Sequence, residues 1–163
     1  MEGFIPHNMI RLVFWKCPHE RWFKCNTDGA SRGNPGLSST TFCVRNDRGV
    51  LVYTGARKLL ATTNIGAEVA VILDGIWDCP WKISVEVRMI KHWSNKGHVQ
   101  FAHILREGNA LADFLANMVF DLVGSIKIHI SQELPTAARK ILNSDKSEMP
   151  YIRQSKYKVR EPD

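Results

Sequence analysis

Three carboxylates, Asp28, Glu68 and Asp113, are the residues of this 163-residue chain whose types and positions most suggest chemistry. They fall in a predicted strand, a first long helix and a second long helix. The hard cation Mg²⁺ prefers oxygen ligands and keeps several waters, so acids from separate elements can share ions with a phosphate group. Two such ions a few ångströms apart would stabilise the attacking and the leaving oxygens of a phosphodiester displacement. The spacing permits this chemistry without requiring it.

Each carboxylate also has an ordinary structural explanation. Asp28 precedes a glycine, a pair typical of hairpin turns, although the Gly-Asn-Pro-Gly run that follows already supplies a chain reversal. Glu68 would interact favourably with the dipole of the helix that it opens. Asp113 is spaced by four residues from Asn117, as is Asn117 from Asp121, a pattern typical of a solvated helix face.

Alternating residues and turn formers predict three consecutive strands that would position Asp28. We expect strands over Trp22–Thr27, Thr40–Arg45 and Val50–Arg57, with the turn-rich run Ser31–Ser39 as a loop. Short connections between them favour an antiparallel meander.

Helical spacing of apolar residues predicts the elements that would carry Glu68 and Asp113. The expected elements are a helix over 64–78, a segment over 81–96 that fits either strand or helix, a strand over 99–105, a helix over 110–123 and a short helix over 136–142. Asn109 is a good N-cap for the helix over 110–123. His103 lies near the end of the strand that precedes this helix, and by itself it is a weak signal.

Composition limits the class of protein. The hydrophobic fraction is 44% and the charged fraction 23%, values typical of a globular chain, and the net charge of +6 favours polyanionic partners. No apolar run reaches the ~18 residues that a membrane helix needs, and the first residues do not resemble a secretory signal. The four cysteines lack zinc-site spacing. We therefore expect an intracellular protein, in the nucleus or the cytoplasm.

The sequence divides into three parts on these patterns. Residues 1–20 resemble a linker, residues 21–124 form the expected globular domain, and residues 125–163 form a basic, largely irregular tail. The tail contains a cluster of cations and tyrosines that either adds electrostatic affinity for nucleic acid or is disordered; its members are Tyr151, Arg153, Lys156, Tyr157, Lys158 and Arg160.

Three segments together resemble a known family. The segments CNTDGASRGNPG, NIGAEVAVILDGI and HILREGNALADFLAN resemble, in this order, the type-1 ribonuclease H domain of plant non-LTR retrotransposons, where it accompanies a reverse transcriptase. The resemblance covers about Trp15 to Val123. It implies an α/β fold with a ribonuclease H-like mixed sheet, in which three antiparallel strands are followed by parallel strands and helices.

The resemblance also implies an activity and a site. Members of the family are endonucleases that hydrolyse the RNA strand of RNA–DNA hybrids with two Mg²⁺ ions, and Mn²⁺ is a plausible substitute. By motif, Asp28, Glu68 and Asp113 correspond to metal ligands, and His103 corresponds to a histidine that assists proton transfer or product release. The expected contacts to the nucleic acid are Ser31, Arg32, Asn34, Arg106 and Asn109.

One expected acid of the family is absent. The family has an aspartate on a strand after the first helix, and two alignments account for its loss. Either Arg88 occupies that position, or, as we prefer, the fourth strand and a flanking helix are deleted. Glu86 would compensate only if it reached the ions.

Three interpretations follow from the sequence. The chain is an active RNA–DNA hybrid ribonuclease, or a decayed retrotransposon-derived domain that binds nucleic acid or has no activity, or a truncated product that does not fold stably.

Overall fold

The structure, a computed structural model, describes residues 4–33, 35–62 and 102–160. The strands are β1 (Phe4–Val13), β2 (Lys24–Gly33), β3 (Gly36–Arg45), β4 (Leu51–Thr62), β5 (Ile126–Ile128) and β6 (Tyr151–Arg160), and the α-helices are α1 (Ala110–Met118) and α2 (Thr136–Lys146). Three 3₁₀ turns lie at Arg106–Asn109, Val119–Asp121 and Ser131–Glu133.

The central sheet has the strand order β2-β3-β4-β5, with every pair antiparallel. The predicted meander of three antiparallel strands is confirmed, and β5 adds a short fourth strand. The predicted loop Ser31–Ser39 is wrong, because β2 continues to Gly33 and β3 begins at Gly36. Gly33 has φ +111, a conformation that favours glycine, and a Cβ at Gly36 would collide with the carbonyl of Arg32. The glycines therefore shorten the reversal and lengthen both strands.

Helices α1 and α2 cover one face of this sheet. Their apolar stripes form one core with the sheet, made of Cys43, Leu51, Leu111, Ala112, Leu115, Ile128, Leu134, Ala138 and Leu142. Both helices were predicted, but the one expected over 110–123 ends as α-helix at Met118 and continues as the 3₁₀ turn to Asp121. The described part of the chain thus combines strands and helices, and this α/β class is the one expected from the sequence.

The two ends of the described chain form a second sheet, which we call the terminal ribbon. Strands β1 and β6 pair antiparallel from Phe4 opposite Arg160 to Val13 opposite Tyr151. Residues 1–20 are therefore more than a linker, and the tail after residue 125 is not largely irregular, since it contains β5, α2 and β6. Neither strand of the ribbon has regular polar–apolar alternation, so periodicity did not indicate them. The division into domains stays a prediction.

Several predicted features lie outside the described residues. These are Glu68, the helix over 64–78, the segment over 81–96 with Glu86 and Arg88, and the first residues of the strand over 99–105. Residues 102–105 are described and have no regular secondary structure. The deletion of a strand and helix therefore stays a prediction. Within the described ranges, no helix is both long enough and apolar enough to cross a bilayer.

A buried ion pair joins the sheet to α2. Arg45 Nη1 lies 2.7 Å from Asp145 Oδ2, and each side chain is only 1% exposed. The second carboxylate oxygen, Asp145 Oδ1, accepts a hydrogen bond from the hydroxyl of Tyr151 at 2.7 Å. Burial and this hydrogen bond raise the pKa of Tyr151, which keeps the hydroxyl protonated as a donor. The pair therefore ties β3, α2 and the start of β6 together.

Trp15 closes the same cluster from the N-terminal side. It is 1% exposed, and the guanidinium carbon of Arg45 lies 4.1 Å from the centre of its ring. Its indole N–H donates to Asn26 Oδ1 at 2.9 Å. A cation above an indole face is attracted by the ring, more strongly when water is excluded. The segment that follows β1 is thereby fixed against β2 and β3.

Removal of one partner of the ion pair should destabilise the protein far more than removal of both. We expect Asp145→Ala to lower the free energy of unfolding by about 3–5 kcal/mol, because it leaves a charged guanidinium buried without a partner. The double variant Arg45→Met with Asp145→Leu should lose much less, since no charge is left unpaired. Urea unfolding at pH 7 measures both values. Lys140→Ala, an exposed change on the same helix, is the control, and equal losses in the single and double variants would contradict the prediction.

Candidate active site

Asp28 lies within β2, opposite Thr41 of β3. The alternative of a hairpin turn at Asp28 is therefore wrong, since the turn comes five residues later. Residues of a strand alternate between its two faces, so Asp28 shares its face with the buried Asn26. The Asp28 side chain is half-buried at the place where α1 crosses β2.

Two hydrogen bonds between side chain and backbone fix α1 on the sheet. The amide of Asn109 donates from Nδ2 to the carbonyl of Thr27 at 2.9 Å, and the hydroxyl of Ser39 donates to the carbonyl of Ala116 at 2.6 Å. Asn109 makes no side-chain cap hydrogen bond, so its predicted capping role is wrong. It joins the start of the helix to the residue before Asp28. Asp113 is one helical turn further on, on the same face as Asn109.

Asp28 and Asp113 consequently lie close enough for the charge of Asp113 to affect the ionisation of Asp28. Burial, followed by the negative charge of Asp113 and a hydrogen bond between the two carboxyls, raises the pKa of Asp28 to about 6. The backbone N–H of Gly29 and the guanidinium of Arg106 act in the opposite direction. Two carboxylates that repel each other in a partly desolvated place favour a cation between them.

Among the described residues, Arg106 is the cation that forms an ion pair with a member of this carboxylate pair, Asp113. Its Nη2 and Nε atoms lie 2.8 and 3.0 Å from Asp113 Oδ1. The Arg106 side chain is 75% exposed and that of Asp113 is 28% exposed. Solvent therefore reaches the ion pair, and other ions can compete with Arg106 for Asp113. Asn117, one turn after Asp113, donates to the carbonyl of Asp113 at 2.8 Å. Asp113 is therefore held at the helix surface and is not a freely solvated side chain.

The other predicted site residues lie around this pair at varying distance. His103 is exposed in the segment before the 3₁₀ turn that carries Arg106. Arg32, at the far end of β2, pairs with Asp121 at 3.2 Å and stacks on Phe120. Ser31 donates to the carbonyl of Gly33. Asn109 is 7% exposed, so its accessible surface for nucleic acid is small. Asn34 and Glu68 lie outside the described residues.

An open groove of about 420 Å³ runs beside Asp113. Its walls combine the charged pair with apolar and aromatic side chains, among them Arg106, Asp113, Phe114, Asn117, Ile141 and Tyr151. Tyr151 was expected in the tail cluster and Ile141 in the short helix over 136–142, and neither was expected to lie beside Asp113. The one sequence signal for this groove was Tyr151, an aromatic residue in a segment predicted to be irregular.

The carboxylate pair fits a divalent cation in part. Asp28 and Asp113 supply oxygen ligands from two elements, the donor type that Mg²⁺ prefers. Among residues 4–33, 35–62 and 102–160, no three His, Cys, Asp or Glu side chains form a group that could hold a metal ion by themselves. A complete ligand set would need Glu68, from the part that is not described. The geometry thus defines a strand-and-helix carboxylate centre.

The chain is similar in sequence to a known protein, although no family model matches it. The Arabidopsis thaliana protein named "Putative ribonuclease H protein At1g65750" is 32% identical over 174 residues, a match that covers 89% of this chain and 28% of that protein. The chain spans little more than a quarter of the relative's length.

A solved structure is also similar. LC11-RNase H1, isolated from compost by a metagenomic approach, is 22% identical, and the match covers 61% of this chain and 95% of that chain with a TM-score of 0.49.

The raised pKa of Asp28 predicts how stability depends on pH without divalent cations. The folded state favours the protonated carboxyl of Asp28. Ionisation of Asp28 therefore does not reduce the free energy of unfolding when the pH is below the ordinary pKa of 3.8. The reduction grows as the pH rises to about 6 and is largest above that pH. We expect Asp28→Asn to be more stable than the unsubstituted protein at pH 7 by about 1–2 kcal/mol, a value reduced for partial exposure. The gain should vanish near pH 4.

Urea unfolding in a chelator at pH 4, 5.5 and 7 measures this dependence. Glu20→Gln, at an exposed position outside the site, should change stability little at any of the three pH values. A stability difference for Asp28→Asn that is the same at pH 4 and pH 7 would show that Asp28 titrates normally.

Proposed function

We propose that this chain is a ribonuclease H-like domain that binds RNA–DNA hybrids and hydrolyses their RNA strand as an endonuclease. The observation that carries the proposal is the proximity of Asp28 on β2 and Asp113 on α1, where burial and the negative charge of Asp113 together raise the pKa of Asp28. Support comes from the 32% identical Arabidopsis thaliana relative, which is named a putative ribonuclease H protein. A retrotransposon origin in a plant, with an internal deletion, and an intracellular location in nucleus or cytoplasm belong to the same proposal.

Each residue has a distinct task in this proposal. Asp28, Asp113 and Glu68 would hold two divalent cations, Mg²⁺ or Mn²⁺, which would supply stabilisation of negative charge in the phosphodiester displacement. Asn109 positions α1 so that Asp113 faces Asp28. His103, exposed before the turn, carries a proton to or from the reacting phosphate. Arg106 neutralises part of the charge of Asp113.

Binding would use the backbone of the hybrid. Double helices that contain RNA are recognised mainly by shape, phosphates and 2′-hydroxyls. Ser31, Arg32, Asn34, Arg106 and Asn109 are the proposed contacts. Arg32 and Arg106 are each paired with one aspartate in the structure, and both guanidinium groups are more than half exposed, which leaves donors available for phosphate.

A decayed domain that only binds nucleic acid is the second candidate. The sequence feature in its favour is the missing aspartate, with Arg88 at that position in one alignment. A cation there would repel divalent ions.

Cleavage of an end-labelled RNA–DNA hybrid separates the two candidates. With Mg²⁺, we expect 5′-phosphate products from the unsubstituted protein, and a loss of roughly a hundredfold or more in Asp28→Asn and Asp113→Asn, because several kcal/mol of transition-state stabilisation are lost. Glu20→Gln, which lies outside the site, is the control and should cleave normally.

The remaining outcomes identify the alternative. Binding of the hybrid without cleavage, together with a gain of cleavage in Arg88→Asp, would show that the domain has decayed. Absence of both binding and cleavage by the unsubstituted, folded protein would overturn the proposal.

A further inference from the structure

We propose that the terminal ribbon is a nucleic-acid-binding arm, which contacts the phosphates of a duplex next to the proposed active site. The inference rests on the proposed function for its partner, and extends it to a surface outside the carboxylate centre. The observations that carry it are the charge of the ribbon, its exposure, its length and its attachment.

The charge of the ribbon has one sign. Strands β1 and β6 contain Arg11, Arg153, Lys156, Lys158 and Arg160, and neither strand contains an acidic residue. A surface with several cations and no acids attracts a polyanion, and each phosphate that it neutralises releases counterions. The chain as a whole carries +6, so much of its excess charge comes from these two strands.

One face of the ribbon is exposed. Residues opposite each other in an antiparallel pair lie on the same face, and alternate residues share it. On this outer face Asn8, opposite Lys156, is exposed, as are Lys156 and Gln154. Lys158 and Arg160 occupy the next two alternate positions of β6. The strand register thus assigns Lys156, Lys158 and Arg160 to the same face of β6, and Lys156 is exposed there.

The ribbon has the length of a duplex turn. Each strand has ten residues, which at ~3.4 Å per residue extend about 34 Å. This equals roughly one helical turn of duplex. Such an arm can follow the backbone over several successive phosphates.

The ribbon is attached beside the carboxylate centre. Arg153 of β6 pairs with Glu107 at 3.1 Å, and the neighbouring residue Arg106 pairs with Asp113. Tyr151, the first residue of β6, lines the groove that also contains Asp113. A duplex bound at Asp113 would therefore lie next to the base of the arm.

A membrane surface is the other polyanion to consider. Exposed Ile10, Leu12 and Ile152 lie on the outer face near the base of the ribbon. Three aliphatic side chains offer little apolar area for insertion into a bilayer. The attachment of the ribbon beside the centre favours nucleic acid, and the experiment below includes vesicles so that the two surfaces are distinguished.

The test compares two triple variants of the full chain that remove the same charge. Lys156→Gln, Lys158→Gln and Arg160→Gln change the ribbon, and Lys127→Gln, Arg139→Gln and Lys140→Gln change exposed positions of β5 and α2. Fluorescence anisotropy measures binding to an RNA–DNA hybrid and to a DNA duplex of the same sequence, between 50 and 200 mM salt, at roughly the range where phosphate contacts dominate. Thermal unfolding confirms that both variants fold.

We expect the ribbon variant to bind both duplexes roughly tenfold or more weakly at low salt. Its slope of log affinity against log salt should fall by about 2–3, because each lost phosphate contact removes about 0.9. The control variant should keep most of the slope. Cleavage of the hybrid by the ribbon variant should recover at high substrate concentration, since the centre is unchanged.

The other outcomes overturn the inference. Equal slopes for the two variants would show that the ribbon makes no special contact, even if the protein cleaves hybrids. Weakened binding to vesicles that contain phosphatidylserine, with unchanged binding to both duplexes, would assign the arm to membranes. Absence of cleavage with a ribbon-dependent slope would defeat the proposed hydrolysis but leave the arm, whereas absence of binding to either duplex would defeat both.

Discussion

The buried pair of Arg45 and Asp145 is the interaction on which the rest of the structure depends. An ion pair that is withdrawn from water must recover the hydration that it loses, through close geometry and further hydrogen bonds. Here Tyr151 and the ring of Trp15 complete the surroundings of the pair. Trp15 contacts the arginine of the pair and Tyr151 contacts its aspartate, so segments near both ends of the described chain meet at this pair. The base of the terminal ribbon is held there by the hydrogen bond of Tyr151.

The carboxylate centre shows the opposite balance. Asp28 and Asp113 repel each other, and the structure keeps them together through hydrogen bonds made by neighbouring residues, above all that of Asn109 to the backbone of β2. The repulsion at the centre therefore destabilises the folded state, and the core that α1 and α2 share with the sheet offsets this loss. Such repulsion is common in sites that bind cations, since the carboxylates that would hold the cation repel each other without it.

The sequence was informative where a feature depends on near neighbours. Helical spacing located α1 and α2, and strand patterns located the meander around Asp28, since both depend on residues a few positions apart. Asp145 was not singled out, because the arginine that gives it a role is 100 positions away. Trp15 was assigned to a linker for the same reason. The pairing of Asp28 with Asp113 was expected from the resemblance, whereas the bridging role of Asn109 required the structure.

The pairing of β1 with β6 has a consequence for how the molecule is assembled. Val13 pairs with Tyr151, although most of the sequence lies between them. The loop that this contact closes is therefore among the longest available to this chain. Long-range contacts of this kind form slowly, because loop-closure entropy must be overcome before the contact is gained. During synthesis the first strand leaves the ribosome long before its partner exists. Val13, which is buried in the folded protein, stays uncovered in that interval, when a chaperone can bind the strand.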